Sequence, residues 1–216
     1  NKIPEQPVTY ADSSCGPQSM HLSSDVGQFG TYNYWYDDEF AGNRMDTALD
    51  ISTTILSSTT AYWVSTYNDS TGCESGRKEV LAKVFTIPER PVLTNLENCG
   101  DETLTLNGAV GANGNTIYWY LSKFQPNPVY RGNDLTYNFN QTTRIWAASV
   151  DTITGCESER DSALVTIHPV PDLPVTANVE NCGPTSFTLN SAIGQFGTQN
   201  YWYDAQADNV PMYADT

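Results

Sequence analysis

The sequence predicts an all-β chain of tandem sandwich repeats, each stapled by one disulfide, and three observations carry that expectation. The frame Cys15–Trp35–Cys73 returns as Cys99–Trp119–Cys156 and begins again as Cys182–Trp202, with 20 residues from cysteine to tryptophan each time. Self-similarity at such a period is the signature of a repeat architecture. The composition, with 12 prolines, 15 glycines and 13 tyrosines in 216 residues, favours strands and turns, and no apolar helical period runs for three turns. Short segments of period two recur at matching places in each copy.

Taken in order, one copy opens on a proline-led stretch, Pro91-Val-Leu-Thr, and reaches Cys99-Gly100. The alternating Leu104-Thr-Leu-Asn107 follows, as Met20-His-Leu-Ser23 in the first copy and Phe187-Thr-Leu-Asn190 in the third. Alternation with one apolar face predicts a half-buried strand. A glycine-rich turn leads to Ile117-Tyr-Trp-Tyr120. After a variable polar segment comes Arg144-Ile-Trp-Ala-Ala-Ser149, the counterpart of Ala61-Tyr-Trp-Val-Ser65. The second cysteine lies in a turn, Thr71-Gly-Cys-Glu-Ser75 or Thr154-Gly-Cys-Glu-Ser158, and a last strand such as Ala163-Leu-Val-Thr-Ile167 closes the copy. Short strands separated by turn signals, with a tryptophan on a central strand, describe an immunoglobulin-like β-sandwich.

The domains are accordingly residues 1–89 and 90–172 as complete repeats and 173–216 as the first half of a third. Cys15 to Cys73 spans 58 residues and Cys99 to Cys156 spans 57, so a mate for Cys182 falls beyond Thr216. We expect pairing within each repeat, Cys15 with Cys73 and Cys99 with Cys156, and hence an oxidising, extracytoplasmic setting. Closing such a loop stabilises a small module by roughly 4 kcal/mol on the chain-entropy account. Both cysteines fall in loops, so this bridge would staple one end of the sandwich, leaving the core to the tryptophans Trp35, Trp63, Trp119, Trp146 and Trp202. The joints Ile87-Pro-Glu-Arg-Pro91 and Ile167-His-Pro-Val-Pro-Asp-Leu-Pro174 are proline-rich, which favours semi-rigid, extended connections.

Ten Lys plus Arg against 25 Asp plus Glu give a net charge of −15, which argues against nucleic acid and anionic membrane surfaces as partners. There is no apolar run long enough to span a bilayer and no charged-then-apolar leader, so a mature segment or an internal fragment is expected.

With these motifs in view, the chain resembles the immunoglobulin-like repeats of large secreted Bacteroidetes surface proteins, such as gliding-motility adhesins and cell-surface fibres. The residues that carry the resemblance are Asn98-Cys-Gly100, Tyr34-Trp-Tyr-Asp37, the aromatic residues Tyr62-Trp63 before Ser65 and Trp146 before Ser149, and Thr71-Gly-Cys-Glu-Ser75. It covers both full repeats and the partial third. The resemblance implies secreted spacer or display modules at the cell surface, with no catalytic residue set to carry over. Where Asp follows Tyr36 and Tyr203, the second repeat has Leu121, so that acidic position is not an obligatory ligand.

A search for chemistry returns mostly structural readings. His21 occupies the outward slot held by Thr105 and Thr188, and His168 falls in a linker. The acids differ between repeats whereas Cys, Trp, Gly and Tyr recur, so a carboxylate dyad is not expected and the chain is read as no enzyme. Asp37, Asp38 and Glu39, or Glu89, Asp101 and Asp172 near the joints, are the hard-oxygen candidates for calcium, without the spacing of an EF-hand loop. We expect no other cofactor or metal. Alternation along Tyr34-Trp35-Tyr36 sends tyrosine and tryptophan to opposite faces, which makes Tyr36 and Tyr120 candidates for stacking on sugars, against the structural reading of cross-strand pairs. Asn68 and Asn140 fit the N-glycosylation pattern. Thr47, Thr152 and Ser162 sit in Asp-(Ser/Thr)-apolar triplets and Ser70 in the related Asp69-Ser-Thr71, the O-glycosylation pattern that the resemblance implies. Asp-Thr and Asp-Ser also simply make good turns.

The resulting reading is a secreted, non-catalytic segment of an adhesin stalk or extracellular fibre. Its partners would be neighbouring repeats, further copies in self-assembly, and surface polysaccharide. The alternative is a set of carbohydrate-binding or accessory modules attached to a secreted hydrolase.

Overall fold

The computed structural model describes residues 2–207 and 209–215, and every regular element among them is a strand. The chain divides into two compact units, Asn1–Leu93 with Asn107–Asp134 and Trp146–Ser162, and Thr94–Leu106 with Leu135–Ile145 and Ala163–Thr216.

The first repeat comprises β1 (Val8–Tyr10), β2 (Asp12–Cys15), β3 (His21–Asp25), β4 (Tyr32–Tyr36), β5 (Arg44–Asp46), β6 (Asp50–Ser52), β7 (Thr60–Asn68), β8 (Cys73–Glu74) and β9 (Lys78–Phe85). A three-stranded sheet runs β1-β3-β6, and a six-stranded sheet runs β2-β9-β7-β4-β5 with β8 paired to β7. Period-two patterning places Leu22 of β3, Trp35 of β4, Tyr62 and Val64 of β7, and Val80 and Ala82 of β9 in one core with Met20 and Ile51. The Trp35 indole is fully buried, and its N–H donates to the Ala48 carbonyl at 2.8 Å, so its one polar atom is satisfied. β2 pairs with β9 in parallel, from Asp12↔Ala82 to Cys15↔Phe85.

The second repeat repeats this order as β10 (Val92–Leu93), β11 (Leu96–Cys99), β12 (Glu102–Ala109), β13 (Thr116–Tyr120), β14 (Tyr130–Arg131), β15 (Asp134–Phe139), β16 (Thr143–Asp151), β17 (Cys156–Glu157) and β18 (Asp161–His168). Its sheets are β10-β12-β15 and β11-β18-β16-β13-β14, with β17 on β16. Trp119 is fully buried and donates to the Gly132 carbonyl at 2.8 Å. β11 again pairs in parallel with the closing strand, Cys99 opposite His168. His168 therefore ends a strand, where the sequence reading put a linker.

Beyond it lie β19 (Val175–Thr176), β20 (Ser191–Ala192), β21 (Asn200–Trp202) and β22 (Tyr213–Asp215), in two two-stranded sheets. The expected strand Phe187–Asn190 is not formed. Among the described residues no strand stands to it as β6 and β15 stand to its counterparts.

A glycine fixes where each copy's leading segment docks. An added Cβ on Gly27, Gly111 or Gly194 would stand 2.0, 2.1 or 2.0 Å from the carbonyl oxygen of Glu5, Glu89 or Asp172. Each of those three residues is also anchored by its own N–H, to the carbonyls of Gln28, Ala112 and Gln195. Only glycine admits so close a backbone approach.

Candidate functional site: the hairpin clamp and the module poles

The hairpin before the closing strand is built the same way twice. In the first repeat Asn68 accepts from the Thr71 N–H and in the second Asp151 accepts from the Ile153 N–H and the Thr154 hydroxyl, which is the side-chain turn expected of Asx residues. Gly72 and Gly155 follow at φ +70° and +78°, where a side chain would be strained. The serine of the motif caps the neighbouring strand: Ser75 accepts from the Thr66 N–H at 2.9 Å and Ser158 from the Ser149 N–H at 3.0 Å.

The glutamate reaches across to the tyrosine that follows the core tryptophan. Tyr36 donates to Glu74 at 2.7 Å and Tyr120 to Glu157 at 3.0 Å. An arginine then covers each ring, with Arg77 3.4 Å from the Tyr36 centroid and Arg160 3.3 Å from that of Tyr120. Each arginine is tied down on its far side, Arg77 donating to the Asp38 carbonyl and Arg160 to the carbonyls of Ser122 and Lys123. Burial first, and then the bond to Glu157, push the Tyr120 hydroxyl up to about 12, and the same causes raise Tyr36.

Both tyrosines are buried, a correction to the expectation that they could stack on sugars. Alternation fixes the face a side chain occupies, and here the arginine and the hairpin glutamate cover that face. On the same outer side of the first repeat, Tyr32, Tyr34 and Tyr67 form a ladder with centroids 5.1 to 5.4 Å apart, with Arg44 4.4 Å above Tyr34. Trp63 is opposite Tyr36 in the register. Trp63, Trp146 and Trp202 are only half-buried, so they are not the core residues the sequence reading made them. In the first repeat the neighbours Tyr62 and Val64 take the inward positions.

The cysteine pairing is also corrected. Cys15 bonds Cys156 across a separation of 141 residues, Cα to Cα 5.6 Å, while Cys73, Cys99 and Cys182 are unbridged. Strand register explains why the within-repeat pairs fail. Cys15 lies opposite Phe85 at one end of the sheet and Cys73 opposite Asn68 at the other. With Thr60 opposite Ala82, the two cysteines stand about 35 Å apart along the strands at the usual rise, against a reach of about 7 Å for a bridge. The second repeat has the same arrangement, Cys99 beside His168 and Cys156 beside Asp151.

The remaining candidates fall as follows. Thr47, Ser70, Thr152 and Asn140 are exposed and Ser162 is half-buried. The Asn68 amide is already used, donating to the Phe29 carbonyl. The two histidines are exposed, His21 3.9 Å from Asp50 and His168 3.6 Å from Glu97. Asp37 and Asp38 accept from the N–H groups of Asn43 and of Phe40 and Ala41. Among the described residues no group of three or more His, Cys, Asp or Glu converges to hold a metal, and no helix is long and apolar enough to cross a membrane. Sequence reasoning missed Arg77 and Arg160, although each stands four residues after the hairpin cysteine.

Two consecutive stretches, residues 4–85 and 88–169, match the family described as Ig-like domain, CHU_C associated. The chain belongs to that family. Its CHU_C-associated Ig-like domains here are two tandem copies that together cover well over half of the chain, and they agree with the resemblance drawn from the repeated motifs. Repeats of this family fit a structural module of cell-surface proteins. No curated protein matches the chain.

Proposed function

We propose that this chain is a structural segment of a secreted adhesin stalk or extracellular fibre, its repeats acting as spacers that hold an adhesive element away from the cell surface and performing no catalysis. One observation carries the reading: in both full repeats the recurring tryptophan and tyrosine of the central strand, with the hairpin glutamate and arginine, are spent on internal bonds. Trp35 and Trp119 bond Ala48 and Gly132, Tyr36 and Tyr120 bond Glu74 and Glu157, and the arginines close over them. What repetition preserves is the sandwich and its hairpin, and the surface is left free to vary. The burial of Tyr36 and Tyr120 weighs against the alternative of a sugar-stacking accessory module.

Electron microscopy of the native protein from its producing cell tests the proposal. Beaded rods or filaments with a one-module period are the expected result. A compact particle bearing a large globular head would replace it with the accessory-module reading.

A further inference from the structure

We propose that the cysteines of this chain are joint cysteines: each repeat carries one at either pole of its six-stranded sheet, and each bridges to the opposite-pole cysteine of the adjoining copy in the same chain. Three observations lead there. The register puts the two cysteines of the first repeat at opposite ends of the sheet, beyond each other's reach. The bond that does form joins a first-pole cysteine, Cys15, to the hairpin cysteine of the following copy, Cys156. The unbridged cysteines occupy the same two kinds of place. Cys99 ends β11 as Cys15 ends β2, and each precedes a glycine of positive φ whose N–H donates to the closing strand, Gly16 to Phe85 and Gly100 to His168. Cys182, which lies on no strand, likewise precedes a glycine of positive φ, Gly183 at +94°. Cys73 sits in the hairpin as Cys156 does, opposite Asn68 where Cys156 is opposite Asp151.

The rule assigns partners. Cys99 takes the hairpin cysteine of the copy that begins at Cys182, Cys182 that of the copy after it, and Cys73 the first-pole cysteine of a preceding copy. Each bridge would skip from one repeat to the next, so the series forms a covalent ladder parallel to the peptide chain. Every bridge is made by thiol–disulfide exchange. The thiolate of one pole attacks a protein disulfide of an extracytoplasmic thiol oxidase, and the second pole's thiolate displaces that oxidase from the mixed disulfide. The two electrons and two protons lost by the cysteine pair leave as the oxidase dithiol. Exposure of Cys99 and Cys182 leaves them open to this attack.

The test uses the 216-residue chain and a longer one in which residues 90–172 are duplicated in tandem before residue 173, both secreted into an oxidising compartment, alkylated and mapped as unreduced peptides. The shorter chain should give one bridged peptide, Cys15 with Cys156, and three alkylated cysteines. The longer chain should add a second bridge, from Cys99 to the hairpin cysteine of the inserted copy, and Cys15→Ser should abolish the first bridge while keeping the second. A Cys15–Cys73 or Cys99–Cys156 peptide overturns the proposal, as does a Cys99 that stays alkylated in the longer chain or bridges only between molecules. If the longer chain fails to fold, the shorter chain still decides: five alkylated cysteines, or any pairing other than Cys15–Cys156, refutes the rule.

Discussion

The guanidinium carbon of Arg160 stands 3.3 Å from the centroid of the Tyr120 ring, and the hydroxyl of that ring donates to Glu157, three residues before the arginine. One short stretch of hairpin thus grips the central strand from above and from the side. Arg77, Tyr36 and Glu74 repeat the arrangement. Replacing Arg160 by Ala removes the cation over the ring together with its bonds to two carbonyls, and we expect a loss of about 2 kcal/mol. Tyr120→Phe keeps the ring and loses only the hydroxyl bond, for about 1 kcal/mol. Urea unfolding of both variants checks the order.

The Tyr120 hydroxyl titrates at about 12 in the folded chain, against an ordinary value of 10.0, through burial and the Glu157 bond. Because the folded value is the higher, the stabilisation is complete below pH 10 and drains away as the pH rises towards 12. Absorbance titration should show this tyrosinate forming among the last, with Tyr32, which its bond to Tyr34 also raises to about 12, together with alkaline loosening of the hairpin. In the opposite direction, Asp69 is held below the usual carboxylate range by the Thr31 hydroxyl and Asp151 by that of Thr154. Their contribution is present above the ordinary aspartate value, about 4, and fades as the pH falls through the lower folded values. Amide exchange in the two hairpins followed down from neutral pH reads that loss.

Trp35 is fully enclosed and bonded to Ala48. Trp35→Ala should cost about 3–5 kcal/mol, the range for deleting a large buried aromatic. Trp63→Ala, on the half-buried side, should cost clearly less. A denaturation midpoint for each variant separates the two faces of the sheet.

Gly111→Ala would drive a methyl to 2.1 Å from the Glu89 carbonyl oxygen. Backbone cannot yield as a side chain does, so the leading segment must lift from its seat, at about 2 kcal/mol or more. Faster exchange of the Glu89 amide, which bonds Ala112, would locate the damage.

Much of this architecture was readable because strand patterning and turn chemistry are local. Leu22, Trp35 and Val64 announce their faces by alternation, and Gly72 and Gly155 announce their turns. Burial of Tyr36 and Tyr120 was not readable, since the arginine and glutamate that cover them come from a hairpin nearly 40 residues away. The cysteine pairing failed for a related reason. Spacing along the chain says how long a loop would be, whereas only register says which pole of the sheet a cysteine occupies. Cys15 and Cys73 look like a pair in sequence and stand at opposite ends in space.

The Cys15–Cys156 bond also determines how the chain carries tension. A pull applied outside the two cysteines passes from sulfur to sulfur and leaves residues 16–155 off the load path. The separation of 141 residues stores roughly 500 Å of extended contour that stretching alone does not release. Reduction of this one bond would return residues 16–155 to the load path, so that unfolding under tension can then lengthen the segment.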